Sequence, residues 1–285
     1  MNTVTETIFC PAKINLFLEV GAPRPDGYHN IDTLMQAVDL CDVVSLTFSK
    51  GDGKITLSCT DKSLSDPECN IASRAAKKYI ETASIEDVDV FINIEKNIPI
   101  AAGLAGGSTD AAGVLLLMEK HFCALGRGRL LKLGGSLGAD VPFCMIGGAA
   151  RATGIGDNLT PIKPLSREMA IVIAKGGDGV STKEAYGSVP CGEKSSDNMV
   201  SMLESGDIFG ICAGVYNAFE QVVMSVRPAV SVAKEIMLEY GALCSLMSGS
   251  GPSVFGIFSD HDLAERSADK LSELGYSSFV TFACV

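Results

Sequence analysis

Residues 98–113, IPIAAGLAGGSTDAAG, hold the residue types that a phosphate site uses. Gly103, Gly106 and Gly107 let a backbone wrap closely around an anion, and Ser108 and Thr109 add hydroxyls. The lysine of a P-loop, G-x-x-x-x-G-K-[ST], is missing, because Gly107 runs straight into Ser108 and Thr109. The dinucleotide spacing G-x-G-x-x-G fails too. A phosphate held here would need its charge met by the amides of a helix N-terminus, or by a cation from elsewhere in the chain. The plainer reading is a tight strand-to-helix turn whose glycines only relieve crowding.

Three other places carry chemistry-bearing residues. Asp140 sits in LGADVPF, among small and apolar neighbours, with Pro142 restricting the backbone just after it. It is either a turn or helix cap or a site carboxylate. Lys13 is the lone cation of PAKINLFLEV; such a lysine snorkels to solvent or pairs with a buried carboxylate. The stretch MSGSGPSVFGIF brushes against a nucleophile elbow, but the G-x-S-x-G spacing fails. The only histidines are His29, His121 and His261, too scattered for a Ser-His-Asp triad or a zinc site. SGSGP therefore reads as a small-residue turn where another backbone or a ligand comes close.

The elements that position these residues follow from periodicity. In the first strand Ala12, Ile14, Leu16 and Leu18 share one face, which puts Lys13 and Asn15 on the other. DVVSLTF and KITLSC read as a hairpin around Asp52-Gly53. NIASRAAKKYIETA reads as a helix capped by Asn70, and VDVFINIE as a strand with Val88, Val90, Ile92 and Ile94 on one face. The phosphate-loop candidate links that strand to a buried helix, STDAAGVLLLMEKHF, with Ser108 or Thr109 as N-cap. TPIKPLSRE marks a boundary, giving domains 1–160 and 161–285. Beyond it a strand, a loop with a short helix (GGDGVSTKEAY), helices through VYNAFEQVV and AVSVAKEIMLEYG, then strand, loop, strand, helix and strand suggest an α+β sandwich.

Composition limits the partners. The 285 residues are 47% hydrophobic and carry a net charge of −11, which argues against nucleic acid or anionic membrane as a general partner. Ten cysteines occur with no C-x-x-C, so we expect free thiols in a reducing, cytoplasmic setting. No apolar run approaches the roughly 20 residues of a membrane span, and no signal peptide is expected.

Taken in order, PAKINLFLEV, RPDGYHNIDTLMQAVDL, IPIAAGLAGGSTDAA, LGADVPFCMIGGAARATGIGD and SGSGPSVFGIF resemble the GHMP kinase superfamily along nearly the whole chain. PAKINLFL with DGYH and LGADVPF is similar, more narrowly, to the branch that phosphorylates a cytidine-diphosphate-linked methylerythritol in non-mevalonate isoprenoid precursor synthesis. The resemblance implies an α+β fold of two domains. The first would be of the ribosomal-protein-S5-domain-2 type and bind ATP; the second would be ferredoxin-like. It implies ATP and Mg2+ as cofactors and a monomer or weak homodimer.

By the same resemblance, Pro99, Gly103, Leu104, Ala105, Gly106, Gly107, Ser108 and Thr109 would cover the ATP phosphates, with Asn70 and Lys96 near the nucleotide and Thr109 a candidate for the metal. Asp140 would take or orient the proton of the substrate hydroxyl, and Lys13 would hold Asp140 ionised and offset charge on the moving phosphoryl group. Tyr28 and Tyr186 would sandwich the cytosine, His29 would bond its edge, and Asn15 and Thr182 would line the substrate site. Family loops often read G-L-G-G-G-S-S-N-A, where this chain has Ala105, Thr109 and Asp110. Ala105 matters if that position needs a positive φ. Asp110 suits the helix dipole but is awkward near a triphosphate, so we expect it to point away or to help hold the metal. Two alternatives stand beside this reading: another GHMP small-molecule kinase of homoserine or mevalonate type, and a non-catalytic nucleotide-binding relative.

Overall fold

The structure is a computed structural model that describes residues 3–179 and 187–285. The chain forms two compact units that interleave along the sequence. Unit 1 takes its residues from the first strand up to Ala12, from Cys41–Ile98 and from Ala105–Ile146; unit 2 takes Lys13–Leu40, Pro99–Leu104 and Gly147–Val285. Two long strands, β1 (Val4–Pro23) and β2 (His29–Lys50), contribute to both.

In unit 1 the strands run in the order β3 (Ile55–Cys59), β4 (Val88–Glu95), β2, β1. The expected hairpin of DVVSLTF with KITLSC is not made. β4 lies between them, antiparallel to β2 over Val43–Lys50 and parallel to β3. Asp52-Gly53 does reverse the chain, but a turn signal sets only direction. Which edge a strand joins depends on its apolar face, and β4 offers Val88, Val90, Ile92 and Ile94, all buried, to the shared core. The parallel β3–β4 pair is reached through α1 (Ile71–Ala83), a helix-borne crossover. Asn70 caps α1 as expected, its Oδ1 accepting from the Ala72 amide at 2.8 Å. α2 (Gly106–Phe122) is the buried helix foreseen from its apolar sequence, followed by α3 (Gly126–Gly135) and the short α4 (Val141–Ile146).

Unit 2 has two sheets. One continues along β1 and β2: β5 (Ala149–Gly154) pairs with β2 and with β6 (Asn158–Pro161), while β8 (Tyr216–Asn217) runs parallel to β1. The other is antiparallel, in the order β11 (Ser277–Phe282), β7 (Ala170–Lys175), β10 (Val254–Phe258), β9 (Cys244–Met247). Its core is closed by α7 (Glu220–Val226), α8 (Pro228–Glu239) and α9 (His261–Glu273), with α5 (Asp197–Ser205) and α6 (Ile208–Gly214) preceding them. VYNAFEQVV, expected to be helical, opens instead as β8, because Ala218 donates to the Leu18 carbonyl and extends the β1 edge.

A charged knot ties β2 to β5 and to the start of α5. Arg151 grips Asp32 with Nε at 2.9 Å and Nη2 at 2.7 Å, and Ser196 donates to the same carboxylate from its amide and hydroxyl. Burial pushes the Asp32 carboxyl up, but Arg151 and Ser196 together outweigh it and hold it below the usual carboxylate range. A lowered pKa contributes stability above the ordinary carboxylate value and loses it as pH falls through the lowered one. We therefore expect the stability gap between the parent and Asp32→Asn, read by urea unfolding, to narrow as pH drops from about 5 toward 2. A gap that stays constant over that range would contradict the assignment.

Candidate active site

α2 begins three or four residues earlier than expected. Its cap is Ala105, in the left-handed conformation at φ 59°, with no side-chain cap bond, rather than Ser108 or Thr109. The reason lies in the backbone: the Ala105 carbonyl already accepts from the Thr109 amide at 2.9 Å, so the helix needs no hydroxyl to start. The amides of Gly106, Gly107 and Ser108 have no carbonyl four residues back within the helix, and they point outward from its positive end. Ala105 does take the positive φ that this chain's departure from glycine made costly, about 1 kcal/mol. The residues fit a polyphosphate: small side chains, a turn that aims three amides one way, and Gly107 and Ser108 not buried.

Behind this turn sits a buried charge cluster. Lys96, just after β4, bonds Asp110 at 2.7 Å and makes a very short bond to Asp42. Asp42 also accepts from the Asn97 amide at 2.6 Å and the Ile98 amide at 2.8 Å, which fixes the exit of β4. A Cβ on Gly106 would stand only 3.3 Å from the Lys96 ammonium, so the cluster lies directly beneath the first residue of α2. Asp110 points into the cluster. Burial pushes its carboxyl up to about 7, with Lys96 lowering and Asp42 raising it, and its buried Oδ1 has no hydrogen-bond partner among the described residues. Burial disfavours the Lys96 cation, but the two carboxylates more than compensate and raise its pKa. Lys96 is thus a cation at the phosphate loop whose bonds go to two carboxylates. Asn70 is similarly engaged, donating to the Leu64 carbonyl at 2.9 Å while it caps α1.

Asp140 precedes α4 in the same unit and is half-buried. Its backbone carbonyl accepts from Cys144 at 3.0 Å, so α4 is registered by the main chain. A Cβ on Gly138 would lie 3.9 Å from the Ser108 hydroxyl, which places the LGADVPF turn beside the start of α2.

Unit 2 holds the other group. β1 alternates as expected, yet both of its faces are buried from Ala12 to Val20. The Lys13 ammonium, buried, donates to Asn15 Oδ1 at 2.7 Å and to the Gly103 carbonyl at 3.2 Å. Asn15 passes the chain on to Thr33 at 2.8 Å. The SGSGP turn behaves as its composition foretold: at Gly103, φ 75°, a Cβ would come within 2.2 Å of the Ser248 carbonyl. Tyr28 is 61% exposed, on a turn tied by the Arg24–Asp26 ion pair. His29 Nδ1 lies 2.9 Å from the Gly21 carbonyl, so in the neutral ring Nδ1 carries the proton and Nε2 is the acceptor. Thr182 and Tyr186 lie outside the described residues. The structure adds Asp42 to the Lys96 cluster of unit 1, and Ser248 and Asn217 to the Lys13 group of unit 2. None carries a sequence signal of its own, because each acquires its role only through a partner far along the chain.

Among the described residues Cys69, Cys123 and Cys191 are the exposed cysteines. No described helix is long and apolar enough to cross a membrane, and no group of three or more His, Cys, Asp or Glu that could hold a metal occurs there.

Comparison with known proteins gives this geometry a family. The sequence matches the GHMP kinases N terminal domain over residues 70–148 and the GHMP kinases C terminal over residues 199–277. It is 41% identical to the 4-diphosphocytidyl-2-C-methyl-D-erythritol kinase of Clostridium botulinum (strain Alaska E43 / Type E3), covering 95% of this chain and 97% of that one. A crystal structure of 4-(cytidine 5'-diphospho)-2C-methyl-D-erythritol kinase superimposes with a TM-score of 0.82 at 31% identity, covering 98% and 100% of the two chains. Homoserine kinase from Cytophaga hutchinsonii has the same fold, with a TM-score of 0.78 at 21% identity over 100% of this chain and 95% of its own. The expected two-domain α+β architecture is borne out, and similarity of this extent over both halves makes the chain a member of the GHMP kinase family.

Proposed function

We propose that the chain transfers the γ-phosphoryl group of ATP to the 2-hydroxyl of 4-diphosphocytidyl-2-C-methyl-D-erythritol, yielding the 2-phosphate and ADP. The observation that carries this is the 41% identity, over nearly the whole of both chains, to a kinase named for that substrate. ATP supplies the phosphoryl group; Mg2+, when bound, would be held with the help of Thr109 and would offset part of the polyphosphate charge. The amides of Gly106, Gly107 and Ser108 meet phosphate oxygens, in line with a reaction in which positioning and charge stabilisation do most of the catalysis. Asp140 accepts the hydroxyl proton as that oxygen bonds to phosphorus and the bridge to the β-phosphate breaks. Lys13 offsets charge on the transferring group. Residues 1–160 would carry the ATP and 161–285 would complete the enzyme.

Tyr28, His29 and Tyr186 are assigned to the cytosine. The exposure of Tyr28 is compatible with this, since it leaves a ring face open on which a base can stack. Tyr28→Ala is expected to raise the substrate KM roughly tenfold while lowering kcat less. An unchanged KM would remove Tyr28 from the base site.

The function itself is tested by ADP release with the cytidine-diphosphate-linked methylerythritol, homoserine and mevalonate in parallel. Turnover with the first alone is the expected result. Comparable turnover with homoserine or mevalonate would replace this reading with the alternative kinase of the same fold.

A further inference from the structure

Asn217 lies on β8, a strand of only two residues beside β1, and outside every glycine-rich segment. It is nonetheless buried, and its amide is spent with care. Nδ2 donates to the Met247 carbonyl at 2.7 Å and to the Gly249 carbonyl at 2.8 Å, while Oδ1 accepts from the Phe219 amide at 2.9 Å. One side chain thus clamps both ends of the Met247–Gly249 turn.

The middle of that turn is Ser248, completely buried. Its hydroxyl accepts from the Asn15 amide at 3.3 Å and donates to the Gly103 carbonyl at 3.1 Å. The Gly103 carbonyl is the one to which the Lys13 ammonium donates, and the ammonium's other bond here goes to the Asn15 side chain. Lys13, Gly103, Ser248 and Asn15 therefore close a ring. The packing leaves little slack: a Cβ on Gly249 would stand 2.9 Å from the Gly103 oxygen and 3.4 Å from the Lys13 ammonium. A second strut, from the Ser253 amide to the Ala102 carbonyl at 3.3 Å, keeps the same two segments in register.

We infer that Asn217 is a positioning residue for Lys13: it sets the Met247–Gly249 turn, and through Ser248 and the Gly103 carbonyl it fixes where the ammonium sits. All of these groups belong to unit 2. The inference rests on the reading of Lys13 as catalytic. If the ammonium must meet the transferring group at a set distance, a small displacement is costly in rate although no ligand contact is lost.

The test uses Asn217→Asp in the full chain. The variant keeps size and the acceptor to Phe219 but replaces the two donated bonds with an oxygen facing two carbonyls. Turnover in the ADP-release assay is read beside the lysine ammonium 15N resonances, with the Lys13 signal assigned by its absence in Lys13→Met. Lys96, a buried ammonium in the other unit, is the internal control. The expected result is a roughly 10- to 100-fold fall in kcat, KM for ATP largely unchanged, the Lys13 signal shifted or lost to exchange, and the Lys96 signal unmoved. A fall in kcat with the Lys13 signal in place would overturn the inference, as would normal kcat with that signal in place. A displaced Lys13 signal with normal kcat would instead overturn the catalytic reading of Lys13. Should Asn217→Asp fail to fold, Ser248→Ala breaks the same ring with no added charge and is judged by the same outcomes.

Discussion

Asp140→Ala is expected to lower turnover roughly 10²- to 10⁴-fold while leaving ATP binding largely intact, the range for losing a general base. Stability should survive the change. α4 is held by its buried Val141, Pro142 and Phe143, and the Asp140 carbonyl, which bonds the Cys144 amide, is untouched by a side-chain substitution. A cap would behave differently: removing one costs about 1 kcal/mol of stability and little rate. Steady-state ADP release together with a urea melt separates the two readings of this aspartate. Asp140→Asn sharpens the comparison, because it keeps the shape and hydrogen-bonding reach of the side chain but cannot accept a proton as a carboxylate does. Near-normal turnover in either variant would rule out the base.

The largest effect on stability is expected at Lys96. Lys96→Met leaves Asp42 and Asp110 facing one another without their cation, in a site where the side chains of all three are at most 6% exposed. Removing one partner of a buried ion pair costs about 3–5 kcal/mol, chiefly the desolvation of what remains. Asp42 is partly protected, because the Asn97 and Ile98 amides still donate to it. Among the described residues Asp110 has no such second donor, and its Oδ1 is already unpartnered. The double variant Lys96→Met with Asp110→Leu should therefore recover much of the loss, since apolar groups of suitable volume replace buried ion pairs at little cost. Urea unfolding at neutral pH reads both variants. Additive losses, with the double variant worse than the single, would show that the cluster is not the electrostatic unit described above.

Much of the fold was legible because it is local. Alternation marked β4, Asn70 announced α1, and the apolar length of α2 foretold its burial. What escaped depends on partners distant in sequence. The Asp-Gly turn said that the chain reverses after β2, but not that β4 would take the place beside it. The site divides in the same way. The glycines of the loop and the small residues of SGSGP signalled close approach, and Gly103 against Ser248 is that approach. The fate of Lys96 was hidden, because neither Asp42 nor Asp110 looks like its partner until β2, β4 and α2 are assembled. Ser108 and Thr109 were natural choices for the cap, but a positive φ at Ala105 moved the helix start ahead of both.

The strand order of unit 1 bears on how the protein is made. β2 ends at Lys50, and its antiparallel neighbour begins only at Val88. At synthesis rates of about 5–20 residues per second, the apolar side of β2, with Val44, Leu46 and Phe48, waits roughly 2–8 s on the ribosome before β4 has even been translated. A nascent chain with such an open edge is a natural client for chaperones that shield strands, and fast heterologous expression, which crowds many such edges together, should favour inclusion bodies.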